Sequence, residues 1–168
     1  MALIAMGVSG SGKSTLGTAL AKAIECPFLE GDDFHAPEAI EKMRAGTPLT
    51  DDDRWPWLDR LGRAIGAHFG THAIVVATCS ALRRAYRDRL RKAIPAPVGF
   101  VLLDPDSGEL QRRLTHRMHH YMPPVLLKSQ LDTLERPEPD ELAIALDSRR
   151  AVDLLCEEVI AWLRQLRK

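Results

Sequence analysis

The stretch GVSGSGKST, Gly7 to Thr15, follows an apolar run, ALIAM, and precedes a segment of helical period. Gly7, Gly12, Lys13 and Ser14 satisfy G-x-x-x-x-G-K-S/T, a pattern with a defined meaning when a strand leads in and a helix leads out. Its glycines let the backbone turn its N–H groups into one concave nest, and the helix that follows aims its positive end at the same spot. The expected ligands of this loop are the phosphates of a nucleotide, held by Gly7, Val8, Ser9, Gly10, Ser11, Gly12, Lys13, Ser14 and Thr15. Lys13 brings a mobile positive charge to the β- and γ-phosphates, and Ser14 offers a hydroxyl to Mg²⁺.

The rest of the chain supplies the context such a loop needs. ALIAMGV, PFLEG, AIVVATC, GFVLLD and LAIALD read as five strands. All but PFLEG are nearly continuous in apolar residues, which predicts strands inside a sheet covered on both faces, with AIVVATC at its centre. Between them, Leu16, Leu20 and Ala23 mark one helix face, Leu58, Leu61 and Ile65 a second, and Val152, Leu155, Val159, Trp162 and Leu166 a third. A second helix start is expected near Pro56, with Asp51 and Asp52 as a solvated acidic run before it. Strands alternating with helices predict an α/β fold with a parallel sheet and a ligand site outside the carboxyl ends of the strands. The proline-rich pieces, PAP at 95–97 and RPEPDE at 136–141, read as loops.

Composition excludes several functions. The chain has 168 residues, 45% of them hydrophobic, enough for one domain with a real core. Twenty-three basic residues balance 23 acidic ones, so no global field favours nucleic acid or an anionic membrane, and an anion must be held by a local site. Cys26, Cys79 and Cys156 are odd in number and far apart, which argues against a disulfide framework or a structural zinc site and suits a reducing cytoplasm. The apolar start lacks a basic n-region and runs straight into the glycine loop, as a strand does and a signal peptide or membrane span does not. The sequence contains no asparagine, so the N-K-x-D element by which many GTPases read guanine is missing. Motor and remodelling ATPases place an aspartate at a strand end to hold Mg²⁺ through water; Asp104 and Asp147 end strands here, but an aspartate in that place is more often a turn residue, and they are read so.

The stretch GDDFHAPEAIEKMRAGTPLTDDDRWPWL, residues 31–58, decides among the remaining classes. It resembles the gluconokinase family, small P-loop sugar-acid kinases related in fold to adenylate and shikimate kinases, whose motif reads approximately GDxxHPxxNxxKMxxGxPLxDxDRxPWL. The matching residues are Gly31, Asp32, His35, Lys42, Met43, Gly46, Pro48, Leu49, Asp51, Asp53, Arg54, Pro56, Trp57 and Leu58. The resemblance continues at CSALRRAYRDRLR, where the family has CSALKxxYRDxLR, and at RLTHRMHHYMPPVLLKSQLDTLERP, where it has RxxxRxxHFMPxxLLxSQxxxLExP. Four departures stand out: the family's HP is His35-Ala36-Pro37, its asparagine is Ala39, its CSALK lysine is Arg83, and its HF is His120-Tyr121. Losing the asparagine removes a hydroxyl contact, and arginine for lysine turns a point charge into a planar fork.

The resemblance implies a P-loop NTPase fold with a five-stranded parallel sheet flanked by helices, one kinase domain over residues 1–168 and a small lid at about 113–125. It implies phosphorylation of D-gluconate to 6-phospho-D-gluconate with ATP and Mg²⁺, and a homodimer. Transfer of a γ-phosphoryl group to an alcohol needs a proton acceptor, a metal and positive charge over the phosphate oxygens. Asp32 is the candidate base and shares the metal with Ser14; taken locally it reads equally well as a turn aspartate. Lys13 and Arg117 are the candidate charges over the phosphate, with Arg113 beside Arg117 on a lid helix and in contact with ATP. Arg54 and Arg83 are placed near the sugar acid, whose carboxylate asks for a bidentate fork, together with His35, Lys42 and His120. Trp55 and Trp57 are read as packing residues, His119 and His120 as lid contacts or solvated residues, and His68 and His72 as helix-end positions. Two alternatives stay open: a kinase for another small sugar acid or polyol acid, and a nucleotide-binding switch without productive transfer.

Overall fold

Ala2–Met6 form β1, buried along its whole length because its alternate residues serve two cores, Ile4 and Met6 on one face and Leu3 on the other. The computed structural model describes residues 1–104 and 125–166. After β1 come α1 (Lys13–Ala23), β2 (Phe28–Leu29), a 3₁₀ turn (Gly31–Phe34), α2 (Pro37–Arg44) and α3 (Asp51–Ala67). They are followed by β3 (Val75–Thr78), α4 (Arg84–Ala93), β4 (Val98–Asp104), α5 (Val125–Thr133), β5 (Ala143–Asp147) and α6 (Val152–Gln165). The five strands pair in parallel in the order β2-β3-β1-β4-β5. β1 therefore takes the centre expected of the third strand, and β3 lies one place out.

Trp57, Leu58, Leu61 and Ile65 of α3 pack with Tyr86 and Leu90 of α4 on one face of the sheet, while Leu16 and Leu20 of α1 and Leu155, Val159 and Leu163 of α6 cover the other. A fully buried aliphatic side chain such as Leu61 or Ile65 contributes roughly 1.5–3 kcal/mol, so these two stripes hold the layers together. The predicted stripes err only at their ends. Ala23 is exposed and its place is taken by Ala21, because α1 stops there; Leu166 lies past the last turn of α6 and is 42% exposed, with Leu163 and Cys156 buried instead.

Two further expectations are corrected. β5 is an edge strand, with Ala145 exposed, since its apolar run has a hydrogen-bonded neighbour on one side alone. α3 begins at Asp51 and not near Pro56. Thr50 caps it reciprocally: its hydroxyl accepts from the Asp53 amide at 3.3 Å, and the Asp53 carboxylate accepts from the Thr50 amide at 2.9 Å. Pro56 falls inside the helix, where its missing amide leaves the Asp52 carbonyl without an i+4 donor. Among the described residues, no helix is long and apolar enough to cross a membrane.

Candidate active site

Parallel order puts the loops after β1, β2 and β3 at the same end of the sheet, and one cleft opens among them. Lys13, Ser14, Asp32, His35, Arg54 and Tyr86 line it together.

The first loop is built from backbone. Gly7 holds φ at +139°, and a Cβ there would meet the Leu103 carbonyl oxygen at 2.9 Å. Gly12, at φ +101°, is the N-cap of α1, and no side chain caps that helix end. The Ser9 and Ser11 hydroxyls are buried with no hydrogen-bond partner among the described groups. Lys13 folds back so that its ammonium donates to the Val8 carbonyl at 2.9 Å. Buried hydroxyls awaiting partners, a turned-in backbone and an uncapped helix N-terminus fit a polyphosphate. Ser14 and the carboxylates of Glu30 and Asp32 line the same cleft, and these are the hard oxygen donors that Mg²⁺ takes.

The second loop presents Asp32. Its preceding residue, Gly31, is held from both sides: the amide donates to Thr78 Oγ1 at 2.9 Å and the carbonyl accepts from the Trp57 indole at 2.7 Å. A Cβ at Gly31 would lie 1.9 Å from the Thr78 carbonyl oxygen, so this position admits no side chain. The Thr78 hydroxyl in turn donates to Glu30. His35 stacks on Trp57 with ring centroids 4.0 Å apart, and its Nε2 lies 3.9 Å from Asp32 Oδ1. Burial pushes the imidazole down to about 4 against the opposing pull of Asp32, so His35 is neutral at pH 7.

The wall opposite is made of side chains. Tyr86 of α4 donates its hydroxyl to Asp51 Oδ1 at 2.5 Å and accepts from Arg54 Nη1 at 3.0 Å. Arg54 and Arg83 each place a guanidinium over the Tyr86 ring, 5.3 and 5.8 Å from its centroid. Behind the ring, fully buried Arg87 binds both oxygens of Glu141 at 2.7 Å and donates to the carbonyls of Ala81, Leu82 and Glu135. That holds the loop after β3, in which Ala81 has φ +43°, in a conformation an L-residue rarely adopts.

Of the residues singled out in the sequence, the structure brings Lys13, Ser14, Asp32, His35 and Arg54 to one cleft, with Arg83 beside Tyr86 and Asp51. Lys42 is not among them: its ammonium pairs with Asp53 at 2.6 Å, and with Thr50 that contact holds the Asp53 carboxyl down at about 2. Trp57 packs as expected, fully buried, and Trp55 meets Tyr86 edge-on at 5.5 Å. Asp104 pairs in two-point fashion with Arg136, and Asp147 with Arg149, as strand-end aspartates rather than cleft residues. Arg113, Arg117, His119 and His120 lie outside the described residues, as does the expected lid up to residue 124.

Sequence reasoning missed four contributors. Asp51 is half-exposed in the first turn of α3, as expected, but is also the hub of the arginine wall. Tyr86, Glu30 and Gln130 line the cleft, and Gln130 accepts from the Ser9 amide at 2.6 Å. A signal was present for three of them: Asp51, Tyr86 and Gln130 all fall on motif positions shared with the gluconokinase pattern, and Tyr86 stands three residues after Arg83, the distance at which side chains of a helix start share a face.

The chain matches a family model described as an AAA domain over residues 3–137. It is 46% identical to a gluconokinase of Gluconobacter oxydans over 162 residues, which cover 94% of this chain and 88% of that one. The chain belongs to the gluconokinase family. A solved gluconokinase from Sinorhizobium meliloti superposes with a TM-score of 0.84 at 46% identity, covering 98% of this chain and 92% of its own. An unliganded sugar kinase from Janibacter superposes with a TM-score of 0.91 at 45% identity, covering 97% and 94%. Within the gluconokinase frame, the departure at Ala39 is a buried residue on α2, and Arg83 stands at the arginine wall.

Proposed function

We propose that this chain transfers the γ-phosphoryl group of ATP to the 6-hydroxyl of D-gluconate, giving 6-phospho-D-gluconate, ADP and a proton. The observation that carries the reading is one cleft with Lys13 and Asp32 at its phosphate end and Arg54, backed by Arg83, at the other. Both ends belong to a chain of the gluconokinase family.

Asp32 takes the proton as the acceptor oxygen forms its bond to phosphorus and the bond to the ADP oxygen breaks. Lys13 leaves the Val8 carbonyl to follow the charge on the migrating phosphoryl group. Ser14 and Asp32 would hold Mg²⁺, which would supply charge neutralisation to the nucleotide phosphates. Neutral His35, fixed on Trp57, serves as a hydrogen-bonding group for the polyol without adding charge. Arg54 and Arg83 hold the acceptor's carboxylate. Arg113 and Arg117 close over ATP from the segment at about 113–125, with His120 near the acceptor. Three cysteines outside any disulfide suit a cytoplasmic enzyme, and a homodimer follows from the resemblance.

A kinase for another small polyol acid is the second reading, favoured by Ala39 and Arg83 where the family motif has asparagine and lysine. Measuring ATP consumption by the purified protein with D-gluconate, glucose and shikimate separates the readings. Gluconate-dependent turnover well above the others supports the proposal; ATP turnover independent of any acceptor would leave a nucleotide-binding switch.

A further inference from the structure

The three aspartates that open α3 have three different surroundings. Asp52 is solvated, and Asp53 is used by Thr50 and Lys42. Asp51 turns across to α4, where Tyr86 donates to it at 2.5 Å, Arg54 Nη1 approaches Oδ1 at 3.4 Å and Arg83 Nη1 approaches Oδ2 at 3.4 Å. A first-turn aspartate needs none of these contacts to favour its helix.

The two arginine contacts are loose by this protein's own standard. Arg89 binds Asp59 through two nitrogens at 2.6 Å, and Arg87 binds Glu141 through two at 2.7 Å. Arg54 and Arg83 each offer Asp51 one nitrogen at the limit of hydrogen bonding. Among the described residues both guanidinium groups engage this cluster through Nη1 alone, so their forks are not saturated by it. Asp51 thus acts on the arginines mainly through charge, and does so with or without its bond to Tyr86.

We propose that Asp51 determines the charge specificity of the acceptor site: two arginines less one aspartate leave a single positive charge, matched to a monocarboxylate. The inference rests on the reading that Arg54 and Arg83 face the acceptor's acid group. A neutral polyol leaves the arginines without their anion, and a doubly charged end meets Asp51 as a like charge. Discrimination of this kind comes from the repulsive partner as much as from the attractive one.

The test is a ladder of open-chain acceptors that share the 6-hydroxyl and differ at carbon 1: D-glucitol, uncharged; D-gluconate, singly charged; and D-glucitol 1-phosphate, doubly charged. Wild type should give its highest kcat/KM with gluconate. Asp51→Asn removes the negative charge and keeps the shape, and should raise the ratio of the doubly charged acceptor to gluconate by roughly tenfold, with gluconate over glucitol rising in the same sense. Asp51→Ser is the second neutral variant, with a short oxygen to keep the helix start, should Asn fold poorly. Tyr86→Phe keeps all three charges and should leave both ratios within about twofold of wild type even where it lowers turnover. Ratios unmoved in both Asp51 variants, with turnover falling equally for all three acceptors, would show a structural role and overturn the inference. A wild type that does not use gluconate overturns the functional reading and this inference with it, whereas gluconate use with unmoved ratios overturns this inference alone.

Discussion

The two ends of the cleft are built from different materials. At the phosphate end, consecutive backbone groups of residues 7–12 and a helix terminus form the cradle, with Gly7 and Gly12 at φ +139° and +101°. At the acceptor end, Arg54 and Asp51 come from one helix and Arg83 and Tyr86 from the start of another, and a buried arginine holds the loop between them. A cradle of backbone recognises a group common to every nucleotide, so it suits many reactions. A wall of side chains can be altered one charge at a time, which suits it to the proposed task of recognising the acceptor.

Mutations should therefore break chemistry at one end and discrimination at the other. The largest effect is expected for Asp32→Asn, which should keep ATP affinity and lower single-turnover transfer by about 10²–10⁴-fold, because an amide cannot take the hydroxyl proton. Loss of ATP affinity with transfer intact would leave Asp32 its metal or nucleotide role alone and remove it as the base. Lys13→Ala should lower kcat by roughly a hundredfold, about 3 kcal/mol, equally for every acceptor that is used. Near-normal turnover in that variant would remove Lys13 from the mechanism.

At the other end, Arg54→Ala should cost about 2–4 kcal/mol in kcat/KM for gluconate, with the ATP KM almost unchanged and less discrimination against glucose. If the gluconate preference survives, Arg83 is the residue to test next. Behind this wall, Glu141→Gln leaves the Arg87 charge buried without its partner, at a cost of about 3–5 kcal/mol. Thermal unfolding should show a melting temperature lower by roughly 10 °C, and an unchanged one would mean that the pair is not needed to hold the loop.

The smallest effect concerns acid. Burial lowers the folded pKa of His35 to about 4 from an unfolded value near 6.5, so the unfolded chain binds the extra proton first. Its contribution is fully present above pH 6.5 and falls away as pH drops toward 4. His35→Gln, which does not titrate, should flatten the loss of stability between those limits in denaturant melts; parallel curves would mean the ring is not held neutral.

Much of this was legible in the chain because it is local. The nine residues from Gly7 to Thr15 specify a conformation by themselves, and five apolar runs announced five strands. Asp32 and Arg54 were found through a motif that keeps them in one stretch. Asp51 was misread because three adjacent aspartates look alike in a string; which of them turns toward Tyr86, 35 positions away, depends on how α3 meets α4. The start of α3 was misplaced for a related reason: Pro56 is a strong local signal for a first turn, and the Thr50–Asp53 capping box outweighed it. Gln130 reaches Ser9 across 121 positions, a pairing no periodicity reveals.

The pair formed by Asp104 and Arg136 has a consequence for how length can change in this chain. The last residue of β4 and a residue just past α5 are held together by two contacts of 2.7 and 2.8 Å, and Arg87 clamps the Glu135 carbonyl next door at 2.9 Å. The chain that leaves β4 at position 104 therefore returns, after α5, to the same fixed point at position 136. Lengthening a closed loop adds only a logarithmic entropy cost, about 0.6 kcal/mol for each doubling. Insertions between residues 105 and 112, ahead of the segment proposed to close over ATP, should leave both the phosphate cradle and the arginine wall standing, which makes that short interval the place to try splicing a peptide or reporter into this enzyme.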